Sequence, residues 1–390
     1  MFFELMSYSD DKRLFRVFKS LIFSDNSLFA QNVLFCQDLL DQYFLKMGSL
    51  CPFQKGFMCS FFDQLIKLQS DAMCEFFFES YVQKMVEYIG DPTIVYLIEE
   101  VLSSDTQCGI QFLSSLITLA AHGDDGNWFN NKSMVFLDTM RGTIITEDII
   151  NGLLHICSSF FLIADFDNET SLEINQSFQI LYNKYSDTMI KVRIFNVSRY
   201  LHKNEYLIDC SIDSLTTLKE PIRLIVAQLD YISMHIDPKM IVFINPLVDY
   251  ISYNLNEFLL RALLKFITQC RSVGCLMEPF ASLLCPIIIR TASFSDWVRN
   301  SHFVGILLEI AVILDPIASH PEWSFFQHNT LKRWENKEFG VIKTVSSFEF
   351  EDLSPSSIPQ NVIEPVQSTN HFDSSVFLEG IDIEKILNDL

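Results

Sequence analysis

Glycine and proline are scarce in this chain, 12 of each among 390 residues that include 36 phenylalanines. Sandwiches and barrels need frequent turns, so a chain this poor in turn formers argues against both. Positive charge is also short. With 28 Lys and Arg against 49 Asp and Glu the formal charge is −21, and without clustered cations to displace counterions nucleic acid is not an expected partner. The ten cysteines are scattered and form no CxxC pair. Free thiols in a reducing compartment is the reading that fits. GxGxxG, Gly-Lys-Ser/Thr, HExxH and GxSxG are all missing, which removes the dinucleotide, phosphate-loop, zinc-protease and serine-elbow signatures. The longest uncharged stretch, Thr106 to Gly123, holds Gln107, Gln111, Ser114, Ser115 and His122. A spanning helix needs roughly 20 mainly apolar residues, so this stretch is expected to be a buried helix and no membrane span is expected. Met1 to Met6 shows neither a basic region nor an apolar core, so no signal peptide is expected there and the setting is read as cytoplasmic, with the nucleus as a second location.

What is present is helical patterning. Hydrophobic residues make up 49% of the chain, enough for a large core in one array or two domains. Tyr88-Ile89-Gly90-Asp91-Pro92-Thr93 reads as one helix stopping at a glycine in the left-handed conformation and the next starting on an Asp-Pro cap. Asp10 to Phe23 sets Leu14, Phe15, Phe18 and Leu21 against Lys12, Arg13, Arg16 and Lys19, the most basic patch of the chain. Helices are expected over Ser27 to Lys46, Pro52 to Gln69, from Ser70-Asp71, up to Gly90, Pro92 to Leu102, Asp105 to Ala121, and from Thr146 through Ile163. Residues 168–219 look polar and aperiodic, and their elements are left unplaced. Pro221, Asp237-Pro238 and Asn245-Pro246 each signal a helix restart. Asn256 opens a helix through Cys270, Asp296 opens Trp297 to Leu314, and Pro321-Glu322-Trp323 opens the last. The expected fold is all-α, an irregular HEAT/armadillo-like helical solenoid over 1–345, followed by a disordered acidic tail over 346–390 with a short apolar segment at 376–390. That last segment reads as a docking helix, an export-type signal or a stretch that folds back.

Few residues suggest chemistry. His320 and His328 straddle a helix start without a third ligand. Cys270, Cys275 and Cys285 sit among Leu, Phe and Ile and read as three core thiols. Glu99-Glu100 and Asp124-Asp125 are sequence neighbours, which a helix points apart. Lys239-Met240-Ile241-Val242-Phe243 fits a loose basic-x-Val/Ile-x-Phe pattern by which an exposed extended segment adds a strand to a phosphatase catalytic subunit, although an apolar run between prolines is more often core. No catalytic residue, cofactor or metal site is expected.

Two blocks of residues carry a resemblance. The first is Phe61-Phe62-x-x-Leu65-Ile66, Phe76-Phe77, Ile89-Gly90, Ile94-x-x-Leu97 and Trp128-Phe129. The second is Gly305-Ile306-Leu307-Leu308-Glu309-Ile310-Ala311, Trp323-x-x-Phe326, Leu331, Asn336 and Gly340. In this order they resemble the SAPS-domain family, regulatory subunits of protein phosphatase 6 and its fungal counterparts. The likeness runs from Leu28 to Gly340, thinly in the middle. Tyr96 stands where the family has an acidic residue, and Gly340 is a single glycine where the family has a pair. The resemblance implies a helical scaffold without enzymatic activity that partners a metal-dependent Ser/Thr protein phosphatase catalytic subunit and often an ankyrin-repeat subunit. Gly90, Asp91, Trp128, Trp323 and Asn336 carry the match, and each also reads as a helix end, a cap or a packed aromatic. A helical-repeat trafficking adaptor for a small GTPase or basic cargo shares the same expected fold and acidic surface, and an enzyme of unrecognised type is the third reading.

Overall fold

The computed structural model describes residues 37–68, 70–123, 136–292 and 301–336, and among them every regular element is helical. The chain divides at Val341 into two units, and the described residues all belong to the first. The helix expected over Asp10 to Phe23, the cap at Asp296, Trp128 and the tail 346–390 lie outside the described residues.

The first helices, α1 (Gln37–Lys46), α2 (Pro52–Leu68), α3 (Ser70–Glu75) and α4 (Val82–Ile89), close around phenylalanine. The buried ring of Phe44 makes edge contacts with Phe62, Phe77, Tyr81 and Tyr88, centroids 5.7, 5.1, 5.3 and 5.2 Å away. Such contacts suit the ring quadrupoles and each adds about 0.5–1.5 kcal/mol beyond area burial. Next come α5 (Val95–Ser104), α6 (Thr106–His122), α7 (Leu137–Met140) and α8 (Glu147–Phe160). Asp105 and Thr146 cap α6 and α8 by accepting the amide hydrogens of Cys108 and Ile149, as their positions predict. Helix α6 is buried continuously from Phe112 to Ala121, in keeping with the core helix expected there.

The unplaced stretch is helical throughout: α9 (Asn168–Lys184), α10 (Thr188–Ser198) and α11 (Glu205–Thr217), capped by Asp167, Asp187 and Asn204. It looked aperiodic because α9 buries Thr170, Ser171, Asn175 and Ser177 beside Ile174 and Phe178, so its inner face is half polar. The remaining helices are α12 (Ile222–Ile232), α13 (Ile241–Tyr253), α14 (Glu257–Cys270), α15 (Gly274–Ala292), α16 (Ser301–Leu314), α17 (Trp323–Phe326) and α18 (Lys332–Glu335). Asn256 caps α14, which ends at Cys270 as read. Pro221 is the cap residue of α12 and not its first turn. Asp237 caps a 3₁₀ turn, Pro238–Met240, that runs straight into α13. The restart expected at Asn245-Pro246 is absent, because Pro246 lies inside α13, and α15 likewise contains Pro279 and Pro286. Each proline deprives the carbonyl four residues earlier of its amide donor. Those residues, Val242, Cys275 and Ser282, are all exposed, so water can replace the lost partner.

From α8 onward packing joins helices that are next but one, and before it the successive contacts are three helices apart. Helices α2, α5, α8, α10, α12, α14 and α16 touch in succession and form one row; α6 packs on α9, and α11, α13 and α15 pack in succession as a second row. The core of buried Leu, Ile, Val and Phe lies between them. Helix α15 is long and apolar enough to cross a membrane by length and composition, but half of it is buried against its neighbours.

Candidate interaction surface

The residues singled out from sequence do not converge. Gly90 ends α4 with φ −72°, a right-handed conformation open to any residue, so the expected left-handed exit is corrected. After it Pro92 opens a turn, and α5 begins only at Val95. The Asp91 carboxylate does act at this junction: it accepts from the Thr93 amide at 2.9 Å and from Lys55 Nζ of α2 at 2.5 Å. Burial pushes this carboxyl up, but Lys55 and the Thr93 amide outweigh it and hold the group below the ordinary carboxylate value. Trp323 belongs to the other end of the stack, buried, with its indole N–H donating to Asp315 at 2.8 Å and its ring 5.2 Å from Phe326. Asn336 follows α18, its amide bonded to the Lys332 carbonyl. These four residues hold helix ends in place.

Along the first row, polar ties run from α2 to α14. Lys55 reaches Asp91; Ser159 of α8 donates to Glu99 of α5; Arg193 of α10 donates to the Asn151 carbonyl of α8 at 2.5 Å. Arg223 of α12 lies 3.9 Å from the Met189 sulfur of α10, and Lys265 of α14 pairs with Asp230 of α12 at 3.2 Å. Cationic side chains on this face are thus engaged within the fold. In the second row Lys184 of α9 donates to the Ala120 carbonyl of α6, and Lys239 joins Asp209 of α11 at 2.7 Å.

The outward face of the second row is different. Glu205, Asp209 and Asp213 recur every four residues along α11 and are exposed. Lys203 and Lys239 pair with the first two. Asp213, with Asp249 of α13 and Glu278 of α15, stands without an ion pair among the described residues. Ile241 and Val242 lie on this face, 45% and 54% exposed. The i, i+4, i+8 acids of α11 were visible in sequence; that α13 and α15 extend the same face was not.

Chemical constellations do not assemble. No group of His, Cys, Asp or Glu suited to a metal occurs among the described residues. His320 Nδ1 accepts the Glu322 amide, and His328 Nδ1 bonds the Ser324 carbonyl. Cys270 and Cys285 are buried, and desolvation pushes both thiols up to about 12, which keeps them protonated and unreactive. Cys275 is exposed, so the reading of three core thiols is corrected. Lys239 to Phe243 is helical with Phe243 fully buried, so it offers no extended segment for strand addition. A groove of about 350 Å³ between α12 and α14 is lined by Met234, Ile236, Lys265 and Gln269 and has no acid or imidazole in its wall. No family model, curated protein or solved structure matches the chain.

Proposed function

We propose that the chain is a HEAT/armadillo-like helical solenoid serving as a non-catalytic regulatory subunit, which holds a Ser/Thr protein phosphatase catalytic subunit of the phosphatase 6 type and directs its substrate choice. The observation that carries this reading is the packing of helices in two rows, next but one from α8 onward, the arrangement by which stacked hairpins build binding surfaces. The SAPS-like residue blocks supply the identity of the partner. In this reading the catalytic metals belong to that partner, an ankyrin-repeat subunit joins the assembly, residues 346–390 form a disordered tail, and the complex works in the cytoplasm.

Isolation of the intact chain from its native cells, followed by mass spectrometry, tests it. A metallophosphatase catalytic subunit in stoichiometric amount is the expected result. A small GTPase or basic cargo with no phosphatase would replace this reading with the trafficking adaptor, which shares the stack and the acidic surface.

A further inference from the structure

The outward face of the second row carries carboxylates that no cation among the described residues pairs with. They are Asp213, Asp249 and Glu278. Three further acceptors are main-chain carbonyls, at Val242, Cys275 and Ser282, whose i+4 amide donors are removed by Pro246, Pro279 and Pro286. All six residues are exposed and lie on the touching helices α11, α13 and α15. Proline is the residue least favoured inside a helix, and here it occurs three times on two adjacent helices, each time leaving the carbonyl of an exposed residue without its i+4 donor. Between the acceptors lie the exposed Ile241 and Val242, with Leu283 and Ile287 half-buried beside them. Asn245 and Ser282 add a neutral amide and a hydroxyl to this face, and its cations are at the margins: Lys239 is already bonded to Asp209, and Arg290 is in the last turn of α15.

We propose that this face docks a cationic amphipathic helix of a protein partner, with arginines on one side and apolar residues beside them. The charge selects a cation. The mixture of carboxylates with bare carbonyls selects guanidinium over ammonium, because its five donors in a fixed fork can serve several separate acceptors at once. The aliphatic strip supplies the apolar contact that an amphipathic helix needs. The first row is the poorer candidate, since Lys55, Arg193 and Lys265 are engaged on it with groups of neighbouring elements. The proposal does not depend on the phosphatase reading, because copurification can fail while this surface still binds.

The test uses the full chain and synthetic Arg/Leu, Lys/Leu and Glu/Leu amphipathic peptides, with affinity read by titration calorimetry. The Arg/Leu peptide is expected to bind, the Lys/Leu peptide more weakly and the Glu/Leu peptide not at all. Reversing the face with Asp249→Lys and Glu278→Lys should weaken Arg/Leu binding by about tenfold or more. Reversing exposed acids elsewhere, Asp71→Lys and Glu75→Lys, should change it by less than about twofold. Pro246→Ala, Pro279→Ala and Pro286→Ala together return amide donors to all three carbonyls without altering charge, and should erase the preference for arginine over lysine. If the face reversal does not fold by circular dichroism, Asp249→Asn with Glu278→Gln takes its place. Equal losses from the two reversals, or no loss from the face reversal, would mean that bulk charge alone attracts the peptide and would overturn the proposal. An arginine preference that survives the three proline replacements would overturn the role of the carbonyls.

Discussion

At the scale of single residues, the glycine that matters is not the one the sequence pointed to. Gly90 has ordinary right-handed backbone, and a Cβ there would meet Ile149 and Asp148 no closer than 3.4 Å. Gly152, in the middle of α8, has the Ile89 carbonyl where a Cβ would stand, 1.9 Å away. Nothing in the sequence around Gly152 announces this, because a close approach between helices is a property of the pair. Gly90→Ala should therefore be neutral or stabilising by about 0.5 kcal/mol through the unfolded chain, whereas Gly152→Ala should cost about 3 kcal/mol or more as α4 and α8 are forced apart. Urea denaturation of the two variants checks the contrast, and equal costs would contradict it. Asp91, read as the cap of the next helix, instead holds the turn that precedes it, since α5 begins at Val95 with Ile94 as its cap residue; that it also pairs with Lys55 follows only from the packing of α2 against α5.

At the scale of elements, the contact between α9 and α11 differs from its neighbours in being made of polar side chains. Asn175 donates to the His202 carbonyl, Asn204 Nδ2 donates back to the Asn175 carbonyl, Ser171 accepts from the His202 amide, and Tyr206 donates to Asn183. Asn204 also caps α11, while its own amide donates to the buried Tyr231 hydroxyl. Replacing Asn204 by Ala removes the cap and leaves the Asn175 carbonyl without this donor, so a loss of about 2 kcal/mol is expected in chemical denaturation. Asn204→Ser keeps a capping oxygen and loses the donor to Asn175, and it should fall between Ala and wild type. This seam is also why the segment resisted reading. Periodicity detects apolar stripes, and here half of the buried stripe of α9 is Asn, Ser and Thr, with Asn175 and Ser171 satisfied by the main chain of His202.

At the scale of the whole molecule, acid response should be set by two imidazoles far apart in the chain. Burial and Lys184 hold His122 below its ordinary value of 6.5, and burial and Lys203 do the same for His235, with Glu205 opposing. The folded state then binds these protons less readily than the unfolded chain, so stability is full above about 6.5 and declines as pH falls through that value toward the folded ones. Thermal midpoints measured from neutral to mildly acidic pH should show this fall, and His122→Gln with His235→Gln should flatten it; an unchanged slope would place the acid sensitivity elsewhere. The sequence by itself determined that the chain is helical, and through Asp105, Thr146 and Asn256 where several helices start, because capping and sparse turn residues act within a few neighbours along the chain. Only the tertiary structure decided that Pro246 interrupts nothing, that Gly152 is the close approach, and that the acids of α11, α13 and α15 share one face. Those outcomes depend on which helix lies against which, a relation between residues dozens of positions apart that no local pattern encodes.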